Sequence, residues 1–312
     1  MSWKDEAISL AESNPDMSWR EIARVLGKPK STVSDNLRKH FKGYVSPSEK
    51  SFKREAEALV GTKPRVLIFD IETSTFVAEV FRMFKVNIGL NQIIEDWQLL
   101  SFGWKWLGED EAYYMDVEDY SELELLQKLQ QLFIEADFVV AHNGRRFDMK
   151  KVRARMIING LPPSNPVRVI DTLEIAKKEF GFTSNRLEYL THTLCKAYKK
   201  GGHEKFSGFE LWKQFRLGNP EAIKEMRDYC ILDVQSLEEL FLILAPWSSR
   251  IPNFDLYEEL PLDNKDWEHV GYHYTNLGKY DKYRNKVTGQ YRRGRTNLLT
   301  KEKRSTLLAN IV

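Results

Sequence analysis

The stretch from Pro64 to Glu72 constrains the chain most. Arg65 to Phe69, RVLIF, is a compact apolar run entered through a proline and ending at Asp70-Ile71-Glu72, and such a run reads as a buried strand. Strand side chains alternate, so Asp70 and Glu72 project to one face. Two carboxylates side by side repel each other unless a cation intervenes. A divalent metal resolves that conflict. Trp97 to Trp106, Ala112 to Val117 and Phe138 to His142 read as further strands, and Ser121 to Glu135 as a helix, which together predict an α/β fold.

Two more motifs follow. The strand ending at His142 runs into Asn143-Gly144-Arg145-Arg146-Phe147-Asp148, after which Val152, Met156 and Ile157 take helical spacing. Asp148 then lies in the first turn, where the helix dipole favours an ionised carboxylate. Pro220 opens a long helix in which Tyr229 and Asp233 stand four residues apart and share a face. Each has an ordinary reading if taken singly: Asp70 caps a turn, Asp148 a helix start, Asp233 decorates a surface helix. Asp171, with Glu174 three positions on, reads as an N-cap with a capping partner. Cys230 reads as packed helix, and His142 as a structural or substrate-facing group. Asp228 adjoins Tyr229, but the spacing to the other motifs favours Asp233.

The order of the motifs carries more than any one of them. DIE, NGRRFD and YCILD resemble the three motifs of the polymerase-type 3′-to-5′ exonucleases with an RNase H-like fold, known by their DEDD carboxylates. The resemblance spans Arg65 to about Trp247, and a Tyr, rather than a His five residues before the last Asp, marks the tyrosine subclass. VIDTLEIAKKEF and DYCILDVQSLEELFLILAPW are similar to exonucleases related to the proofreading domain of B-family DNA polymerases and to bacterial RNase H-like domains. The resemblance implies an RNase H-like mixed β-sheet flanked by helices. It also implies phosphodiester hydrolysis by two divalent ions about 4 Å apart, held by Asp70, Glu72, Asp148 and Asp233. Tyr229 would orient the attacking water, since a phenol with an ordinary pKa of about 10 is a poor base at neutral pH. Asn143 and Phe147 would position the terminal nucleotide, and the product would be 5′ mononucleotides. Oxygen ligands favour Mg²⁺ or Mn²⁺. With Cys195 and Cys230 as the only cysteines, neither a disulfide framework nor a multi-thiolate zinc site is expected, and a cytoplasmic setting fits.

Residues 1–44 read as three short amphipathic helices. Trp3, Ala7, Leu10 and Ala11 share a face before Asn14-Pro15; Ser18 caps a second helix that Gly27 stops; Ser31 opens a third, with Val33, Leu37 and Phe41 at every fourth position. SWREIARVLGKPKSTVSDNLRKHF resembles the helix-turn-helix of bacterial and phage DNA-binding proteins. Its polar face carries Ser31, Thr32, Ser34, Arg38 and Lys39, types that suit base edges and phosphates. A small bundle that binds no nucleic acid is the plainer alternative. Residues 45–63 read as a linker, 64–250 as the exonuclease domain and 251–312 as a basic, aromatic arm or hairpin that binds nucleic acid.

Charge follows the same division. Residues 1–60 hold 11 Lys/Arg against 9 Asp/Glu, 61–264 hold 25 against 32, and 265–312 hold 11 against 4. Basic ends suit a polyanion and an acidic centre suits metal. Arg145 and Arg146, with Lys150, Lys151, Arg153 and Arg155, could grip phosphates near the site; solvated helix surface is the alternative. Arg292, Arg293 and Arg295, interleaved with tyrosines, suit nucleic acid as well. His269 and His273 lack further soft ligands, and the arm, though similar in cadence to zinc-ribbon tails of related nucleases, is expected to hold no zinc. No stretch approaches the roughly 18 apolar residues of a membrane span, and the start has no basic segment leading into an apolar run. The expected partner is nucleic acid, DNA before RNA because of the helix-turn-helix. An exoribonuclease, and a DNA-binding regulator with a vestigial nuclease fold, are the competing readings.

Overall fold

Two helices lead the chain. In the computed structural model, Trp3–Ser13 (α1) starts at Ser2, whose hydroxyl accepts from the Lys4 N–H while Asp5 accepts from the Ser2 N–H, a reciprocal cap. Trp19–Val25 (α2) ends ahead of Gly27, which takes φ +60, a left-handed conformation that glycine adopts without strain. The structure describes residues 2–14, 17, 19–29, 32, 33, 36, 37, 40, 64–199, 205–257 and 264–308. Ser18, Ser31, Ser34, Arg38, Lys39, Phe41 and the expected linker 45–63 lie outside them. Thr32, Val33, Asn36, Leu37 and His40 are helical, with Thr32 exposed. Ala7, Ala11, Ile22, Ala23, Val33 and Leu37 pack into one small core. Chain contacts divide the molecule into two units, Met1–Arg54 and Glu55–Val312.

The larger unit is built on a five-stranded sheet. Its elements run Val66–Thr73 (β1), Val77–Ala78 (β2), Ile93–Glu95 (β3), Leu99–Trp106 (β4), Ala112–Asp116 (β5), Glu122–Glu135 (α3), Phe138–Ala141 (β6) and Asp148–Ile158 (α4). There follow Arg168–Asp171 (β7), Thr172–Glu179 (α5), Leu187–Leu194 (α6), Glu210–Arg216 (α7) and Pro220–Leu244 (α8). The strand order is β5-β4-β1-β6-β7, with β2 and β3 forming a separate pair. β1, β6 and β7 are parallel, and β4 and β5 antiparallel. This is the mixed, helix-flanked α/β sheet that the sequence predicts.

The alternation of β1 decides what each face meets. Leu67, Phe69 and Ile71 join the core formed with Leu125, Leu126, Leu129 and Phe133 of α3 and Met149, Val152 and Met156 of α4. The opposite face, carrying Asp70 and Glu72, meets α8. That helix begins at Asn219, whose side chain accepts from the Glu221 N–H, with Pro220 next, where its missing N–H costs nothing. A buried ion pair sets its register: Lys105 Nζ on β4 lies 2.5 Å from Glu238 on α8, both at most 4% exposed. Glu238 also accepts from the Gly108 N–H at 2.8 Å. Burial pushes the Glu238 carboxyl up while Lys105 draws it back. Removing one partner of such a pair costs about 3–5 kcal/mol.

The C-terminal region goes beyond the expected hairpin or extended arm. Trp267–Thr275 (β8), Gly278–Asn285 (β9) and Tyr291–Arg293 (β10) form an antiparallel sheet in the order β10-β9-β8, followed by Lys301–Ser305 (α9). The third strand is returned by a tight turn in which the Asn285 side chain accepts from the Val287 and Thr288 N–H groups, a turn device typical of Asn. No helix among the described residues is long and apolar enough to cross a membrane.

Candidate active site

β1 outruns its parallel neighbour. Its pairing with β6 ends at Ile68 opposite Val140, so Asp70 and Glu72 stand beyond that edge. They keep β4 as ladder partner, Asp70 opposite Gly103 and Glu72 opposite Ser101. The lack of a side chain at Gly103 lets α8 lie directly on the sheet: a Cβ there would sit 2.8 Å from the Cys230 carbonyl oxygen. This close crossing delivers Asp233, fully buried, to the two strand carboxylates. Ligand atoms of Asp70, Glu72 and Asp233 all lie within 4.8 Å of one another.

Asp148 arrives through the loop after β6. Asn143 takes φ +68, a left-handed conformation that Asn tolerates better than most residues. A Cβ on Gly144 would overlap that of Ala141. Asp171 holds this loop from the end of β7, accepting from the N–H groups of Asn143 at 2.9 Å and Arg145 at 3.2 Å. It also accepts from the Leu173 N–H and so caps α5, as predicted. The predicted capping partner Glu174 instead faces Arg145, 3.4 Å away, because that loop brings a guanidinium within its reach. Asp148 is 2% exposed and accepts from the Ile71 N–H at 3.3 Å. Burial, and then the charge of Asp70, raise its carboxyl well above the ordinary range. It therefore borders the three-carboxylate group and shares its field.

Tyr229 is half-buried one turn before Asp233, its ring edge-on to Trp212 with centroids 6.4 Å apart. Trp212 escaped the sequence reading. From α7 its indole N–H donates to Glu72 Oε2 at 3.1 Å, which fixes one orientation of that carboxylate. A tryptophan outside any motif offered no signal. Cys230 is buried beneath the cluster, and burial followed by Glu72, Asp70 and Asp233 pushes its thiol up. A neutral thiol is a weak ligand, so the donor set is carboxylate oxygen. That chemistry fits hard divalent ions.

The remaining predicted residues separate into two groups. Phe147 is 40% exposed and Arg146 exposed, while Asn143 is half-buried. Arg145, besides meeting Glu174, donates to the Val169 carbonyl. Arg155 is held by Glu122 at 2.7 and 2.6 Å, and Lys151 lies 3.6 Å over the Trp97 ring. Part of the basic cluster thus braces α4. His142 is structural, bonding the Thr172 hydroxyl at 2.9 Å and the Asn185 carbonyl at 3.0 Å.

Carboxylates gathered beyond the end of a central parallel strand, under a long crossing helix, define an α/β protein of the RNase H-like class. Residues 67–245 match the RNase_H superfamily, over more than half of the sequence, and the chain belongs to that superfamily. Among solved structures, the family B DNA polymerase of the hyperthermophilic archaeon Pyrobaculum calidifontis is 15% identical with a TM-score of 0.45. The match covers 59% of this chain and 25% of that one, so the chain spans about a quarter of the polymerase's length. The mariner Mos1 paired end complex with Mg is 12% identical with a TM-score of 0.21, covering 80% of each chain. No curated protein matches.

Proposed function

We propose that this protein is a metal-dependent 3′-to-5′ exonuclease of the tyrosine-bearing DEDD type, releasing 5′ mononucleotides from DNA. The convergence of Asp70, Glu72 and Asp233, with Asp148 against Asp70, carries the reading. Asp70, Glu72, Asp148 and Asp233 would hold two Mg²⁺ or Mn²⁺ ions, which would supply Lewis acidity for activating water and positive charge for the transition state. Trp212 keeps Glu72 turned toward its neighbours. Tyr229 hydrogen-bonds and orients the attacking water from its place one turn before Asp233. Phe147 offers a ring for the terminal base, Asn143 helps to seat the nucleotide, and Arg145 and Arg146 line the approach of its phosphates.

The same reading divides the labour along the chain. Residues 1–44 form a helix-turn-helix that brings the enzyme to duplex through Ser31, Thr32, Ser34, Arg38 and Lys39. Residues 45–63 link it to the nuclease domain, 64–250. Residues 251–312 add Arg292, Arg293 and Arg295 as phosphate contacts. A time course on 5′-labelled single-stranded DNA, duplex DNA and matched RNA, in Mg²⁺, Mn²⁺ or chelator, tests it alongside Asp148→Ala. A metal-dependent ladder shortening from the 3′ end of DNA, absent in the variant, is the expected result. Faster shortening of RNA would turn the assignment to an exoribonuclease, and no cleavage of any polymer by folded protein would end it.

A further inference from the structure

We propose that one face of the C-terminal sheet is a stacking platform for single-stranded nucleic acid, which feeds the strand to the nuclease. The proposal rests on the exonuclease reading for its purpose but on the sheet alone for its chemistry. Directly opposed residues of antiparallel strands share a face. The pairs Trp267 with Asn285, His269 with Tyr283, Tyr272 with Asp281 and Tyr274 with Lys279 therefore lie on one side.

That side owes its composition to a β-bulge. His269 and Tyr272 are three residues apart, yet their partners Tyr283 and Asp281 are two apart, so one extra residue is inserted in β8. Gly271, at φ +100, takes the backbone conformation that only glycine adopts freely. Were these same residues to run as a regular strand with no bulge, Tyr272 and Tyr274 would point to the face opposite His269. With it, the rings of Trp267, His269, Tyr272, Tyr274 and Tyr283 share one face, His269 lying 5.6 Å from both Tyr272 and Tyr283.

These rings are not a core. Among the described residues from 264 to 308 no aromatic side chain is buried, and Tyr272 and Tyr274 are 44% and 66% exposed. An apolar face left open on so small a sheet asks for an occupant. Charge names it. Lys279 Nζ lies 3.8 Å over the Tyr272 ring and the Arg292 guanidinium 4.9 Å over Trp267. Two of the acids already face local partners: Asp281 lies 3.1 Å from the His269 ring nitrogen and Glu268 3.8 Å from the Arg284 guanidinium. Exposed rings interleaved with surplus cations match a polyanion that presents π-faces, which is a single strand; a duplex hides its base faces.

Binding of 5′-labelled single-stranded DNA and RNA 15-mers, and of a DNA duplex, to the full chain in chelator tests the proposal by fluorescence anisotropy. The Tyr272→Ala/Tyr274→Ala protein should bind single strands roughly tenfold more weakly, given what stacked bases contribute. Tyr272→Phe/Tyr274→Phe should stay within about twofold of wild type, since the ring faces persist. Duplex affinity and the melting curve should not move. The better of the two single strands identifies the polymer. Unchanged single-strand affinity in the alanine protein, an equal loss on duplex, or loss only of self-association would overturn the proposal. Cleavage of a trinucleotide, which has few bases to stack on the sheet, should survive the alanine substitutions. Absence of cleavage in wild type would defeat the exonuclease reading while leaving the binding result intact.

Discussion

Asp148 shows how one buried carboxylate links stability to metal. Its folded-state pKa is raised, by burial first and Asp70 second, so the folded chain keeps a proton that the unfolded chain has released. The stability this contributes is complete below the unfolded value of about 3.9 and is lost as pH rises through the folded value. Metal-free wild type should therefore lose melting temperature over that rise, and Asp148→Asn should lose less and melt higher at neutral pH; thermal scans in chelator across pH 4–8 check both. Metal binding requires the carboxylate, so Mg²⁺ affinity should increase with pH. Equal pH profiles for the two proteins would contradict the shared field. Trp212→Phe makes a second residue-scale test. It keeps a ring beside Tyr229 but removes the N–H to Glu72, and losing a partner that orients a ligand typically costs about 10–100-fold in metal affinity or activity. Mg²⁺ titration with intact far-UV circular dichroism reads it.

The close crossing of α8 over β4 is the element on which the site's geometry depends. Gly103→Ala would place a methyl against the Cys230 carbonyl, and such overpacking costs about 1–3 kcal/mol. Denaturant unfolding should show that loss, and Mg²⁺ affinity should fall with it as Asp233 is lifted from Asp70. What could be read beforehand follows from the same distinction between positions within an element and contacts between elements. Asp70 and Glu72 were legible because both lie on one strand whose alternation is written in five apolar neighbours, and Tyr229 with Asp233 because a helix repeats within four residues. The hold of Trp212 on Glu72, and of Asp171 on the Asn143 loop, joins elements far apart in the chain. No period records them. Gly103 carried a signal, since an isolated strand glycine marks a close approach, but nothing local says what approaches. The third C-terminal strand was missed because its turn depends on the Asn285 side chain and not on a Gly pair.

At the scale of the molecule, two units share one chain. Removing residues 1–54 should leave the main thermal transition in place and weaken duplex binding, measured as a smaller salt slope of the binding constant. Metal should act on the other unit: an ion at one hundred times its Kd adds about 2.7 kcal/mol to folding. For a unit of this size that corresponds to roughly 5–10 °C in Tm, a shift that Asp70→Asn/Asp233→Asn should abolish. Scanning calorimetry with Mg²⁺ and with chelator separates the two units.

The three clustered carboxylates come from a strand near the start of the larger unit and a helix near the end of the sheet domain. During synthesis Asp70 and Glu72 emerge early, and Asp233 only after the whole sheet has been made. A nascent or truncated chain that stops short of α8 lacks Asp233 and leaves the carboxylate group incomplete. For the proposed exonuclease, hydrolysis would therefore wait until α8 has been made and has docked on the sheet.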